Sequence, residues 1–157
     1  MDRNKKGTLS VAIIKTWLIA GTLDISIALI QYYLQTGKDP ANVLRYIAGG
    51  VFGKQAFSGG TSMAAFGLCF HYIIAFCWVA LFFIIYPRFS FLKKSVVINA
   101  FCYGLLVWVV MTRVVLPLTT LPSQPFILQK ALQAMLILVF AIGLPSAYFA
   151  KKYYDRR

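Results

Sequence analysis

Four long apolar runs divide the chain, at roughly residues 9–34, 62–86, 95–117 and 126–150. Each approaches or exceeds the ~20 residues that an α-helix needs to cross a hydrocarbon core about 30 Å thick. The stretch IIAFCWVALFFIIY (73–86) shows no alternation of polar and apolar positions, whereas a membrane β-barrel needs alternating segments of ~10 residues. Helices satisfy their own backbone N–H and C=O groups, which lipid cannot do. The pattern predicts an all-α polytopic membrane protein: one domain over residues 1–157, with four transmembrane helices in a single bundle. The first run continues past Lys15 and Asp24 without a small-residue cleavage site, and reads as a retained span rather than a signal peptide.

The connection over residues 35–61 is richer than a linker. Asp39-Pro40 has the form of an N-cap followed by proline in the first turn. ANVLRYIA (41–48) continues as a short amphipathic segment that Gly49-Gly50 would end, and a second apolar stretch, VFGKQAF (51–57), runs to Ser58-Gly59-Gly60. This predicts a short interfacial or re-entrant helical loop between spans one and two. Ser62 is the expected N-cap of the second span and Pro87 its end. Pro145 should kink the fourth span by clashing with the Ala141 carbonyl. Tyr32, Tyr33, Tyr86, Tyr148, Tyr153 and Tyr154 lie near span ends, as in interfacial aromatic belts.

Composition agrees. The chain is 60% hydrophobic and 13% charged, against about 25% charged in a soluble domain, and its mean hydropathy is +0.73. A formal net charge of +12 would suggest nucleic acid in a soluble protein. Here the cations flank apolar runs, as residues facing anionic lipid do, and no nucleic-acid partner is expected. Arg3, Lys5, Lys6 and Lys15, then Arg88, Lys93 and Lys94, then Lys151, Lys152, Arg156 and Arg157 fall on one side of a four-span bundle. Excess Lys and Arg mark the cytoplasmic side, so both termini are expected in the cytoplasm. Cys69, Cys77 and Cys102 all lie within apolar runs and read as small packing residues without a disulfide framework.

Candidate chemistry is sparse. Asp24 is the only acid within a span, and His71, in the second, is the only histidine. A charge at the bilayer centre costs about 2.5–3.5 kcal/mol, so it faces protein or water and has a partner. Counted from the expected span ends at ~1.5 Å per residue, Asp24 and His71 both lie ~14–15 Å deep. Ala64, Gly67, His71 and Ala75 form a small-residue stripe; Ala20, Asp24 and Ala28, beside Gly21, form another. Such stripes let helices approach closely in lipid, so Asp24 and His71 are predicted to face each other inside the bundle. Gln31, Arg113, Lys130 and Gln133 would form a polar pocket above them; the alternative for Arg113 and Lys130 is snorkelling to the headgroups.

Other motifs fail. GGVFGKQ (49–55) lacks the first glycine and the Ser/Thr of a phosphate loop. Ser62 has no base nearer than His71 on its own helix, and the cysteines do not combine with His71 into a ligand set. No catalytic residues, metal or cofactor are expected.

From His71 onward the order of features resembles the YagU-like family of small bacterial inner-membrane proteins. The pieces are HYIIAFCWVALFFIIYP (71–87), the basic loop FSFLKK (89–94), NAFCYGLLVWVVM (99–111) with VLPL (115–118), and IGLPSAYFAKKYY (142–154). The resemblance implies a four-span inner-membrane protein with a link to acid stress, and carries no catalytic residues or substrate. GTLD (21–24) and LRYIAGGVFGKQAF (44–57) also resemble bacterial membrane proteins.

Three functions compete. The first is a small transporter or channel component, as a homo-oligomer, in which Asp24 and His71 handle protons or a small solute. The second is a non-catalytic scaffold or accessory protein with a membrane-protein partner, in which the pair is a structural clip. The third, ranked last, is an enzyme acting on lipid, with Arg113 and Lys130 as phosphate binders.

Overall fold

A computed structural model describes residues 3–121 and 127–155, with side chains from residue 9 onward in the first helix. The cationic side chains at positions 3, 5, 6, 156 and 157, and the expected fourth-span start at 126, lie outside what is described. The helices are α1 (Arg3–Thr36), α2 (Ala41–Phe52), α3 (Gly60–Ile85), α4 (Val96–Val110), α5 (Leu128–Leu138) and α6 (Leu144–Tyr154). No described residue is in a strand. Leu9–Thr36, Gly60–Arg88, Val96–Leu118 and Leu128–Tyr154 are long and apolar enough to cross a membrane, consistent with an integral membrane protein. Outward-facing Leu34, Val97 and Leu118 are 76%, 73% and 81% exposed; so much exposed apolar surface is untenable in water and natural in lipid.

Both interrupted spans share one device. Leu116 and Leu144, each just before a proline, donate their N–H groups to Met111 and Val139, five residues back. The π turns Met111–Val115 and Val139–Gly143 thereby precede Pro117 and Pro145. A proline removes one N–H and crowds the carbonyl four residues before it, and a wider turn makes room for both. The expected disruption at Pro145 therefore takes the form of this turn, which joins α5 to α6.

Three glycines set the helix spacing. A Cβ on Gly67 of α3 would strike the Leu44 carbonyl of α2. On Gly104 it would strike the Val139 backbone, and on Gly143 the Ala100 carbonyl. The last two contacts are reciprocal and hold α4 against the fourth span over about one turn. Val79, Phe82, Phe83, Tyr86, Val107 and Ile142, at most 2% exposed, form a core from mid-bundle to the end bearing Arg88, Lys93 and Lys151. Tyr86 stacks on Tyr154 at 5.4 Å, and Tyr153 is buried. Tyr86 and Tyr153 thus belong to the core rather than to an interfacial belt.

The loop after α1 departs from expectation in two places. Asp39 Oδ1 accepts from the Ala41 N–H at 3.0 Å, so the cap is where it was expected. But α2 runs through Gly49-Gly50 to Phe52, and stops at Gly53, whose φ of 62° favours glycine. Gly49 and Gly50 instead give room to Leu121 and Thr119 of the last loop. Ser62 is not a cap, because α3 already begins at Gly60. α2 lies against α3 with Phe52 packed on Phe66 and Phe70. Arg45 ties the loop's ends by donating to Asp39, Asn42 and the Gly60 carbonyl at 2.9–3.2 Å. All three cysteines face outward rather than into the packing.

Gly67→Ala should lower stability by about 1–3 kcal/mol, the usual range for overpacking, whereas exposed Ala65→Leu should be near neutral. Thermal unfolding in detergent reads both. An unaltered melting temperature for Gly67→Ala would mean that α2 does not dock there.

Candidate intramembrane polar site

The α1–α3 seam holds the bundle's buried histidine and an aspartate beside it. Ala64, Gly67, His71 and Ala75 are all buried, as are Ala20 and Gly21. The stripes meet at His71 and Ala75, which lie against Gly21 of α1, while Gly67 packs on α2. A Cβ on Gly21 would come within 3.0 Å of the Tyr72 ring, so glycine here lets α3 seat its polar residues on α1.

His71 is engaged at both ring nitrogens. Its Nε2 lies 2.9 Å from the Gly21 carbonyl oxygen. Its Nδ1 lies 3.9 Å from Asp24 Oδ2, with the two side chains 10% and 20% exposed. A carbonyl can only accept, so Nε2 carries a hydrogen in both the neutral and the charged ring. Nδ1 is then the position that gains or loses a proton, and it faces the carboxylate. The separation is longer than a direct hydrogen bond; the contact is electrostatic and open to an intervening group.

Further bonds hold the same seam. Trp17 Nε1 donates to the Tyr72 carbonyl at 2.7 Å, and the Thr22 and Tyr72 hydroxyls share a hydrogen bond at 2.8 Å. About one turn beyond Ala28, Gln31 Nε2 and Gln35 Nε2 both donate to Gln133 Oε1, at 3.2 and 3.1 Å. This links α1 to α5. Arg113, on the π turn after α4, and Lys130, on α5, are exposed on the surface.

The geometry thus brings together Asp24 with His71, and Gln31 with Gln133. Trp17, Thr22, Tyr72 and Gln35 were not singled out from the sequence. Gln35 had a signal, since it falls four residues after Gln31 on the same face. Tyr72 had none beyond its place next to His71. Among the described residues, no group of three His, Cys, Asp or Glu is placed to hold a metal. No protein-family model, curated protein or solved structure matches the chain.

Because His71 is the only histidine, histidine labelled with nitrogen-15 yields one unambiguous ring. Its spectrum should show the proton on Nε2, bonded to the Gly21 carbonyl. A ring that is unprotonated at Nε2 and protonated at Nδ1 would contradict the Gly21 contact.

Proposed function

We propose that this chain is a proton-handling component of a membrane transport or channel assembly, with Asp24 and His71 as the group that takes up and releases the proton. The carrying observation is that the only titrating nitrogen of a buried histidine faces the only acid within the spans. With one shared proton the pair is net neutral, either as carboxylate and imidazolium or as acid and imidazole, which suits a low-dielectric site.

Energetics favour this over a purely mechanical clip. A cross-helix hydrogen bond in a membrane averages about 0.6 kcal/mol, below the 2.5–3.5 kcal/mol for placing a charge at mid-membrane. Trp17, Thr22 and Tyr72 already join α1 to α3 with two bonds that need no charge. The second reading, a scaffold, draws support from the anchored Nε2, which holds the ring in place.

The excess of cations at the end bearing Arg88, Lys93, Lys94, Lys151 and Lys152 supports placing that end in the cytoplasm. A bacterial inner membrane and the YagU-like family fit the same reading, and so does assembly with further copies or a membrane partner, since four spans are few for a conduit.

On acidification, the wild-type protein in detergent should bind about one proton more than the Asp24→Asn, His71→Gln double variant. Proton uptake after acidification, read with a pH dye, measures this. Superimposable uptake curves would end the proposal.

A further inference from the structure

We infer that the Asp24–His71 pair exchanges its proton with one side of the membrane only, the side carrying α2, so that the chain by itself is a one-sided proton-binding site rather than a conduit. This rests on the proton-handling reading above and adds its direction.

The two halves of the bundle differ in packing. Toward the basic end, the pair is followed by Val79, Phe82, Phe83, Val107 and Ile142, all but sealed from the surroundings. The polar groups described there are mostly tied down: Thr16 Oγ1 bonds the Ala12 carbonyl, Tyr103 the Trp78 carbonyl and Asn99 the Leu92 carbonyl. Ser146 Oγ and Tyr86 OH are buried without a partner, and an isolated hydroxyl cannot carry a proton across an apolar layer on its own.

Toward α2 the arrangement is reversed. Asp24, Ala28, Gln31 and Gln35 follow one another on a single face of α1, with spacings of four, three and four residues. The row rises ~16 Å at 1.5 Å per residue, which reaches from mid-span to the helix end. Gln133 faces it from α5 and leaves its own amide N–H groups free of the bonds that its Oε1 accepts. None of the described residues from 108 to 138 is buried, so the third and fourth spans pack more loosely on this side than around the aromatic core. Asp24 itself is a fifth exposed while His71 is half as much so; the carboxylate is therefore the first acceptor a proton entering along the row would meet. From there the proton moves to His71 Nδ1, and the carboxylate is left ionised beside the imidazolium.

The other ionisable groups around the row do not compete. On α1, Lys15 lies nine residues toward the basic end and is exposed. On α3, Tyr72 is bonded to Thr22. On α2, Arg45 is paired with Asp39, and Tyr46 is a neutral phenol. Arg113 beyond α4 and Lys130 on α5 are exposed cations at the α2 end; Tyr103 of α4 is bonded to the Trp78 carbonyl, and α6 contributes Lys151 and Lys152 with Tyr148, Tyr153 and Tyr154 toward the opposite end.

The test uses full-length protein inserted in one orientation in vesicles, with a rapid pH jump on one side at a time. Infrared difference bands of the pair, assigned with Asp24→Asn and His71→Gln, report protonation. The bands should follow the pH on the α2 side and ignore that on the basic side. Gln31→Leu combined with Gln133→Leu should abolish the fast response while leaving the His71 ring signature intact. A response to the basic side, or an unchanged response in the double leucine variant, overturns the one-sided route but leaves the proton-binding reading standing. Bands that follow neither side overturn both.

Discussion

Lipid offers no hydrogen bonds, so a polar group placed within a span is costly unless it finds a partner on a neighbouring helix or on its own backbone. That constraint organises this bundle. It draws His71 onto the Gly21 carbonyl, Trp17 onto the Tyr72 carbonyl and Tyr103 onto the Trp78 carbonyl. The two α1–α3 bonds need the helices close together, which Gly21 and Ala75 allow, while Gly67 and Gly104 give the same close approach to α2 and the fourth span. In lipid, where apolar surface gains nothing by leaving one hydrocarbon phase for another, such contacts and tight van der Waals packing are what hold helices together.

The same rule explains why the site is where it is. The closely packed aromatic core at the basic end leaves no place for a charge, whereas the half carrying α2 has glutamines and partial exposure. Asp24 sits at the boundary between the two. A carboxylate placed there has the His71 ring on one side and a polar row on the other.

Much of the architecture was legible because membrane helices are written in long apolar runs. The span limits agree within a few residues, and the depth match of Asp24 with His71 followed from counting residues along helices. Side-chain geometry was less accessible. Nothing in the order of residues says that Nε2 would be anchored on a carbonyl, which decides that Nδ1 is the titrating atom. The glycine pair at 49–50 was misread as a stop because glycine favours both turns and close contacts; only the facing Leu121 and Thr119 distinguish the two uses. Tyr86 and Tyr153 were misread as belt residues for a related reason, since proximity to a span end does not fix which way a ring points. The cysteines, expected among packing residues, face outward; Cys69 and Cys77 lie off the small-residue stripe of Ala64, Gly67, His71 and Ala75 that marks the inner face of their helix.

The proton-handling role requires residues 24 and 71 to face each other within one chain. Replacing the three native cysteines by serine and introducing Asp24→Cys with His71→Cys tests this directly, since a disulfide forms only when the two Cα atoms approach within about 7 Å after modest helix adjustment. Oxidation in the membrane should give an intramolecular bond, seen as a mobility shift of the monomer that a reductant reverses. Failure to form it, or bonding only between separate chains, would contradict the arrangement from which the whole functional reading follows.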